Sequence, residues 1–299
     1  MTSGRLRARA YAKVNLDLRV GPRSDDGYHR LSTVLQSVAL HDTVTLRAGD
    51  GPCRVRCSAT GVPSDRGNLV WTAAAALWRA VGRRGDPQGA VVTITKRIPA
   101  EAGLGGGTAD AVAALPGLCR IWDVSLAPQG LREVAAEVGS DGPFFLVGGT
   151  ALGLGRGDAV YPLAELSPHW VLIVVPPRGV PTARAYGWLD RDRGRRGRRG
   201  RPARHVPPYA GPTLDLAALT NDLEGPVTRR RRELREATRT LRGAGAVVAA
   251  MTGSGSAVFG LFTSRARAAD AARGAKRPGW RVIVTRTMSR EGLARRFWA

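Results

Sequence analysis

Four glycines fall within five positions of the segment Pro99-Ala-Glu-Ala-Gly-Leu-Gly-Gly-Gly-Thr-Ala-Asp110. They follow the alternating apolar run AVVTITKRIP at 90–99 and precede an alanine-rich run from about 106. The alternation predicts a strand and the alanine run a helix, so the chain must turn from one into the other through almost bare backbone. Glycine accepts positive φ and lets the main chain approach a ligand closely, while the first turn of a helix leaves N–H groups unpaired at its positive dipole end. Such a corner can hold an anion, phosphate above all. Taken alone it is as compatible with a purely structural turn. It is not a Walker loop, because no Gly-Lys-Ser/Thr ending follows, and no acidic residue stands on a following strand at Rossmann spacing.

The rest of the chain supplies a mixture of strands and helices. Apolar alternation predicts strands near 5–20, 36–48 and 53–59, and "NLVWTAAAALWRAVG" a helix over 68–81 ended by Gly82. A helix follows over "APQGLREVAAEVG" to Gly139, then a turn at "SDGPFF". The runs "TALGLGRGDAVYPL" and "WVLIVVPP" read as the next strands, the second suited to a buried position. Beyond them come helices 215–221 and 227–243, a strand 256–262, a helix 264–275 and a strand 280–287. This order lacks a regular βαβ alternation, which predicts an α+β chain in two lobes, residues 1–160 and 161–299.

The formal net charge of +22 over 299 residues raises nucleic acid, membranes and anionic ligands as partners. Half of it comes from two stretches. Residues 188–208 carry eight Arg and two Asp, and 229–242 carry seven Arg and two Glu. The first, with an Arg-rich insert over 190–208, is expected to be a solvated, disordered loop. The second reads as an exposed helix face. Lysine contributes only Lys13, Lys96 and Lys276, so the charge is partly an arginine bias of composition, and nucleic acid is not the expected partner. No apolar run has the length of a membrane span and the N-terminus lacks the apolar core of a signal peptide, which predicts a cytoplasmic enzyme with no membrane partner. Cys53, Cys57 and Cys119 are too few and too sparsely placed for a zinc site.

Four further motifs decide between the readings of the glycine loop. They are "AYAKVNLDLRVGPRSDDGYHRLSTVLQSVALHD" at 10–42, "GSDGPFFLVGGTALGLGRGD" at 139–158, "NDLE" at 221–224 and "MTGSGSAVFGLF" at 251–262. With these in this order the chain resembles the GHMP small-molecule kinases over nearly its whole length, the Arg-rich insert excepted. Within that family "DGYH", "GSDxPF" and "GGTALGxGRG" resemble the members that phosphorylate a cytidine diphosphate-linked methylerythritol in non-mevalonate isoprenoid synthesis.

The resemblance implies a two-lobed fold, with an N-terminal nucleotide-binding lobe and a C-terminal ferredoxin-like α/β lobe. It implies ATP and Mg²⁺ as cofactors, with no protein residue assigned to the metal, and a chain acting as a monomer or weak homodimer. Asp141 matches the catalytic base and Lys13 the lysine that pairs with it. Outside this context an Asp after Ser is an ordinary turn or cap residue. Pro99, Gly103, Leu104, Gly105, Gly106, Gly107, Thr108 and Asp110 match the ATP phosphate loop, with Leu104 packing beneath it. Asn15, Tyr28 and His29 match the cytidine diphosphate site, His29 at the cytosine edge and Tyr28 stacking on the base. Tyr186 is a second stacking face, and Gly253, Ser254 and Gly255 form a turn near the substrate diphosphate.

The chain departs from the family pattern at several places. Thr108-Ala109-Asp110 replaces a Ser-Ser-Asp, removing one hydroxyl. Pro116-Gly117 falls inside the loop's helix and predicts a kinked or short helix, since Pro removes an N–H and crowds the preceding turn. Tyr11 and Ser256 replace prolines, and Gly142 replaces a bulkier residue beside Asp141. Two alternatives accompany the kinase expectation: another GHMP kinase or a repurposed paralogue, and an arginine-rich polyanion-binding protein.

Overall fold

A computed structural model describes residues 4–25, 27–195 and 207–299. In chain order its elements are β1 (Leu6–Arg23), β2 (His29–Pro52), β3 (Arg54–Cys57), α1 (Leu69–Ala80), β4 (Gln88–Thr95), α2 (Gly106–Trp122), α3 (Pro128–Val138), α4 (Gly142–Val147), β5 (Thr150–Gly155) and β6 (Ala159–Pro162). Then come β7 (Trp170–Val175), α5 (Thr182–Arg195), a 3-10 turn at Leu216–Ala218, α6 (Glu224–Arg230), α7 (Arg232–Gly243), β8 (Val248–Met251), β9 (Val258–Phe262), α8 (Arg265–Ala275), β10 (Arg281–Arg286) and α9 (Arg290–Ala294).

The fold is α+β and two-lobed. Long strand β2 organises the first sheet: it pairs antiparallel with β1 along its length, with β4 through Thr43–Ala48 and with β5 through Leu31–Gln36. Helices α1, α2 and α3 cover one face, where Val44, Leu46, Val92 and Ile94 meet Val70, Leu77, Leu115 and Leu118. The second sheet has the order β10-β7-β9-β8. With β7 leading through helices to the β8–β9 hairpin and α8 leading to β10, this is the ferredoxin-like arrangement. The two sheets meet through a further core, in which Val14, Leu16, Val34 and Val38 pack on Ile173, Phe259 and Leu261. The expected boundary at 160 lies inside β6, so the first sheet runs on to Pro162 and the second begins at Trp170, while the C-terminal residues return to the first lobe. Arg9 N–H donates to the Phe297 carbonyl at 2.8 Å, and Ala299 N–H to that of Arg7 at 2.8 Å.

Several elements differ from expectation. Helix α2 runs unbroken through Pro116. Its Ala111–Leu115 stretch is buried, and that packing outweighs one missing hydrogen bond. Gly117 serves this contact, because a Cβ there would lie 2.8 Å from Cδ1 of buried Leu46. The turn expected at "SDGPFF" is the short helix α4, and the helix expected over 215–221 is a single 3-10 turn. The helix expected over 227–243 breaks at Arg231, whose guanidinium is drawn off to the carbonyls of Arg178 and Gly179 and to Glu233.

The expected loop at 188–208 begins instead as the end of α5. Ala185 and Leu189, one helical turn apart, are buried in the second lobe's core. Asp192 is paired with Arg229 and Arg230 of α6, and Arg193 donates to the carbonyls of Val20 and Gly21. Residues 196–206 of the insert lie outside the described residues. Much of the 229–232 arginine run is thus engaged within the protein and is not a bare basic face.

Candidate active site

The glycine loop sits where β4 delivers it, between the two lobes. Gly105 is the N-cap of α2 with φ of 70° and no side-chain cap, so the first turn of a 17-residue helix presents its N–H groups uncapped by any side chain. Gly103 has φ of +77°, and a Cβ there would meet the Thr252 carbonyl oxygen at 2.5 Å. Only glycine allows this left-handed turn and this close approach. Leu104 is buried in the core between the sheets, and its carbonyl accepts from Lys13 N–H at 3.0 Å. Pro99 is buried as well.

Asp110 departs from the expected role. It is 2% exposed and accepts from Lys96 Nζ at 2.7 Å, while the same ammonium also donates to Asp42. Asp42 in turn accepts the N–H groups of Arg97 and Ile98, which anchor the entrance to the loop. Burial, with the Asp42 charge adding and Lys96 opposing, pushes the Asp110 carboxyl up to about 8. Burial lowers the Lys96 ammonium, but the two carboxylates outweigh it and hold it above its usual value. Asp110 therefore supports the loop from below, and its side chain is buried against Lys96.

Lys13 and Asn15 lie two apart on β1, so their side chains share a face. Lys13 Nζ stands 3.1 Å from Asp141 Oδ2 and donates to Asn15 Oδ1 at 2.6 Å. Asn15 Nδ2 donates to Thr33 Oγ1 at 2.8 Å, and Asn15 N–H to Thr252 Oγ1 at 3.0 Å. A largely buried ammonium is thereby held by a carboxylate that retains 30% exposure. Asp141 opens α4, and Gly142 explains how. A Cβ at 142 would fall 1.8 Å from the Ala135 carbonyl oxygen, so α4 can press against α3 only without a side chain there.

The turn Gly253–Gly255 closes the other side. Asn221 Nδ2 donates to the carbonyls of Met251 and Gly253 at 2.8 and 2.9 Å, and Met251 N–H donates to Glu224 at 2.8 Å. The "NDLE" motif is thus the scaffold of this turn. Ser254 Oγ and Thr182 Oγ1, 3.0 Å apart, join the turn to the start of α5.

These groups line one cavity of about 340 Å³, which contains Lys13, Asn15, Gly103, Gly105, Thr108, Asp141, Gly253 and Ser254. A neighbouring cavity of about 510 Å³ contains Tyr28, His29, Tyr186 and Asp190. Leu31, Ser140, Arg156, Thr182 and Tyr186 line both, so the two form a continuous cleft. Tyr28 is 59% exposed, with the Arg156 guanidinium 4.4 Å from its ring centroid. Tyr186 stacks on His29, ring centroids 5.4 Å apart. Burial first, and the Asp141 charge second, raise its phenol.

His29 differs from expectation in detail. Its Nδ1 lies 3.0 Å from the Gly21 carbonyl and its Nε2 3.2 Å from Asp190, so both ring nitrogens already have acceptors within the protein. Residues that the motif reading does not single out also shape the cleft: Thr33, Arg156, Thr182, Asp190, Asn221 and Thr252. Arg156, Asn221 and Thr252 lie within quoted motifs, whereas Asp190 carries no local signal and is found only through its contact with His29.

Residues 68–149 match the family model of the GHMP kinases N terminal domain, and residues 211–279 that of the GHMP kinases C terminal region. The chain is 38% identical over 291 residues to the 4-diphosphocytidyl-2-C-methyl-D-erythritol kinase of Pelotomaculum thermopropionicum, covering 94% of this chain and 98% of that one. A crystal structure of a 4-(cytidine 5'-diphospho)-2C-methyl-D-erythritol kinase superposes with a TM-score of 0.76 at 32% identity, covering 94% and 98% of the two chains. A homoserine kinase from Cytophaga hutchinsonii superposes with a TM-score of 0.70 over 97% and 96%, but at 18% identity it shares the fold alone.

Proposed function

This chain belongs to the GHMP kinases, and from that membership we propose that it phosphorylates 4-diphosphocytidyl-2-C-methyl-D-erythritol on its 2-hydroxyl in non-mevalonate isoprenoid synthesis. It is an ATP-dependent phosphotransferase with an alcohol as acceptor. The observation that carries the reading is the Lys13–Asp141 pair, placed in one cavity with the glycine loop and continuous with an aromatic pocket.

Phosphoryl transfer asks a protein mainly for positioning and charge neutralisation. The uncapped start of α2 and the backbone of Gly103–Gly107 hold the ATP phosphates, with Thr108 adding a hydroxyl. Asp141 accepts the proton of the attacking hydroxyl as the O–P bond forms. Lys13, fixed by Asn15, keeps Asp141 oriented and offsets negative charge on the transferring oxygens. Arg156, at the junction of the two cavities, meets the substrate diphosphate together with the Gly253–Gly255 turn. Tyr28 and Tyr186 offer ring faces to the pyrimidine.

Among the described residues no group of three or more His, Cys, Asp or Glu is placed to hold a metal ion. Mg²⁺ at kinase sites is usually bound through one or two carboxylates together with the nucleotide phosphates. Thr108 and Asp141, both lining the cavity, are the side chains that would meet it. When bound, Mg²⁺ neutralises charge on the β- and γ-phosphate oxygens.

The test is ADP release with ATP, Mg²⁺ and the cytidine diphosphate-linked methylerythritol, run beside Asp141→Asn. Turnover that requires the cytidine substrate and disappears in a folded Asp141→Asn protein supports the reading. Full activity in the variant would remove Asp141 as the base.

A further inference from the structure

We infer that Asp190 is a specificity-determining residue that selects cytosine over uracil by accepting a hydrogen bond from the base's 4-amino group. The inference rests on the cytidine diphosphate reading of the cleft given above. It starts from the contact between Asp190 and His29. A carbonyl oxygen can only accept, so the 3.0 Å contact to Gly21 requires a proton on His29 Nδ1. The Gly21 carbonyl also receives Arg193 Nη1 at 3.2 Å, which fixes it in place. The other ring nitrogen, Nε2, faces both carboxylate oxygens of Asp190 at 3.2 and 3.3 Å. At that distance the ring nitrogen is occupied by the carboxylate. Both nitrogens of the His29 ring are therefore engaged within the protein, and neither is left for a base unless the ring releases Asp190.

Asp190 is in the opposite condition. An ionised carboxylate has about four acceptor positions. Among the described residues its hydrogen-bond partner is His29 Nε2. Its side chain keeps 43% of its surface and lines the same 510 Å³ cavity as Tyr28 and Tyr186. Tyr186 and Asp190 are four residues apart on α5, so one helix face presents both the stacking ring and the acceptor. The pairing with His29 holds the carboxylate at that position.

An acceptor at the edge of a pyrimidine site discriminates at one atom. Cytosine places an amino donor at position 4, which a carboxylate accepts, whereas uracil places a carbonyl there and sets acceptor against acceptor. A polar site rejects the analogue that leaves its groups unpaired more strongly than an apolar site rejects a change of size.

The experiment measures equilibrium binding of CDP and UDP to the full chain and to Asp190→Ala and Asp190→Asn, with thermal unfolding as the control for folding. The expected result is that the unaltered chain prefers CDP by about 10- to 100-fold. In both variants the preference collapses to within about threefold, mainly through weaker CDP binding. Asn supports the inference further if it gains UDP affinity, because its amide can donate to the uracil carbonyl. A CDP preference that survives in folded Asp190→Ala overturns the assignment while leaving the cytidine site standing. Binding of neither nucleotide to the unaltered chain overturns the cytidine reading, and this inference with it.

Discussion

The ammonium of Lys13, on the first strand, lies 3.1 Å from the carboxylate of Asp141, at the start of α4. The pair is brought together by packing of distant segments, and the carboxylate that holds the lysine keeps 30% of its side-chain surface exposed in the cleft. Lys13→Met should lower kcat by about 10²–10³-fold, the usual cost of removing one donor from a reacting centre. Asp141 is partly exposed, so the variant should still unfold cooperatively. Steady-state kinetics with ATP and the cytidine substrate check this, and near-normal turnover would exclude Lys13 from the chemistry.

Gly142 controls the position of Asp141 by sterics alone. A methyl group at this position would stand 1.8 Å from the Ala135 carbonyl oxygen, so Gly142→Ala forces α4 away from α3. Overpacking of this kind costs roughly 1–3 kcal/mol or more. We expect a lower midpoint in urea and a fall in kcat larger than any change in KM for ATP. A variant as stable and active as the parent would show that the α3–α4 contact is dispensable.

Asp110 makes stability depend on pH. Its folded value of about 8 lies above the unfolded value near 3.9, so between those limits the folded protein keeps a proton that the unfolded chain has lost. Stability contributed by this group therefore falls as pH rises from about 4 to about 8 and levels off above. Asp110→Asn, which cannot ionise, should give a flatter profile over that window and gain on the parent at its alkaline end. Urea unfolding at several pH values decides it, and parallel profiles would show that Asp110 is ionised throughout.

Asn221 holds the Gly253 turn by two hydrogen bonds to carbonyls. Asn221→Ala leaves buried acceptors unpaired, at a cost of about 1–3 kcal/mol. The loosened turn should raise KM for the cytidine substrate more than KM for ATP. Equal changes in both would mean that the turn serves the nucleotide side as well.

Much of the fold is legible locally. The alternation in β1 and β4, the alanine run of α2 and the glycines at 103–107 are short-range signals, because a strand's period and a glycine's freedom are properties of the segment itself. The order of five motifs carries the family and, with it, Lys13 and Asp141. Local rules applied alone err at points of tertiary contact. Pro116 predicts a kinked or short helix, yet burial against Leu46 and its neighbours keeps α2 intact. The charge of residues 188–195 predicts a loop, yet Leu189 is buried and Asp192 pairs with α6.

The α+β class, the glycine turn into α2 and the residue types that line the cleft thus follow from the order of amino acids along the chain. Three features do not: Asp110 supports the loop from beneath, Asn221 braces a turn in the second lobe, and His29 is already bonded to Asp190. Each of these depends on which polar groups lose water together. That is settled by the packing of segments far apart in the chain, because a buried donor or acceptor must find its partner wherever the fold has placed one.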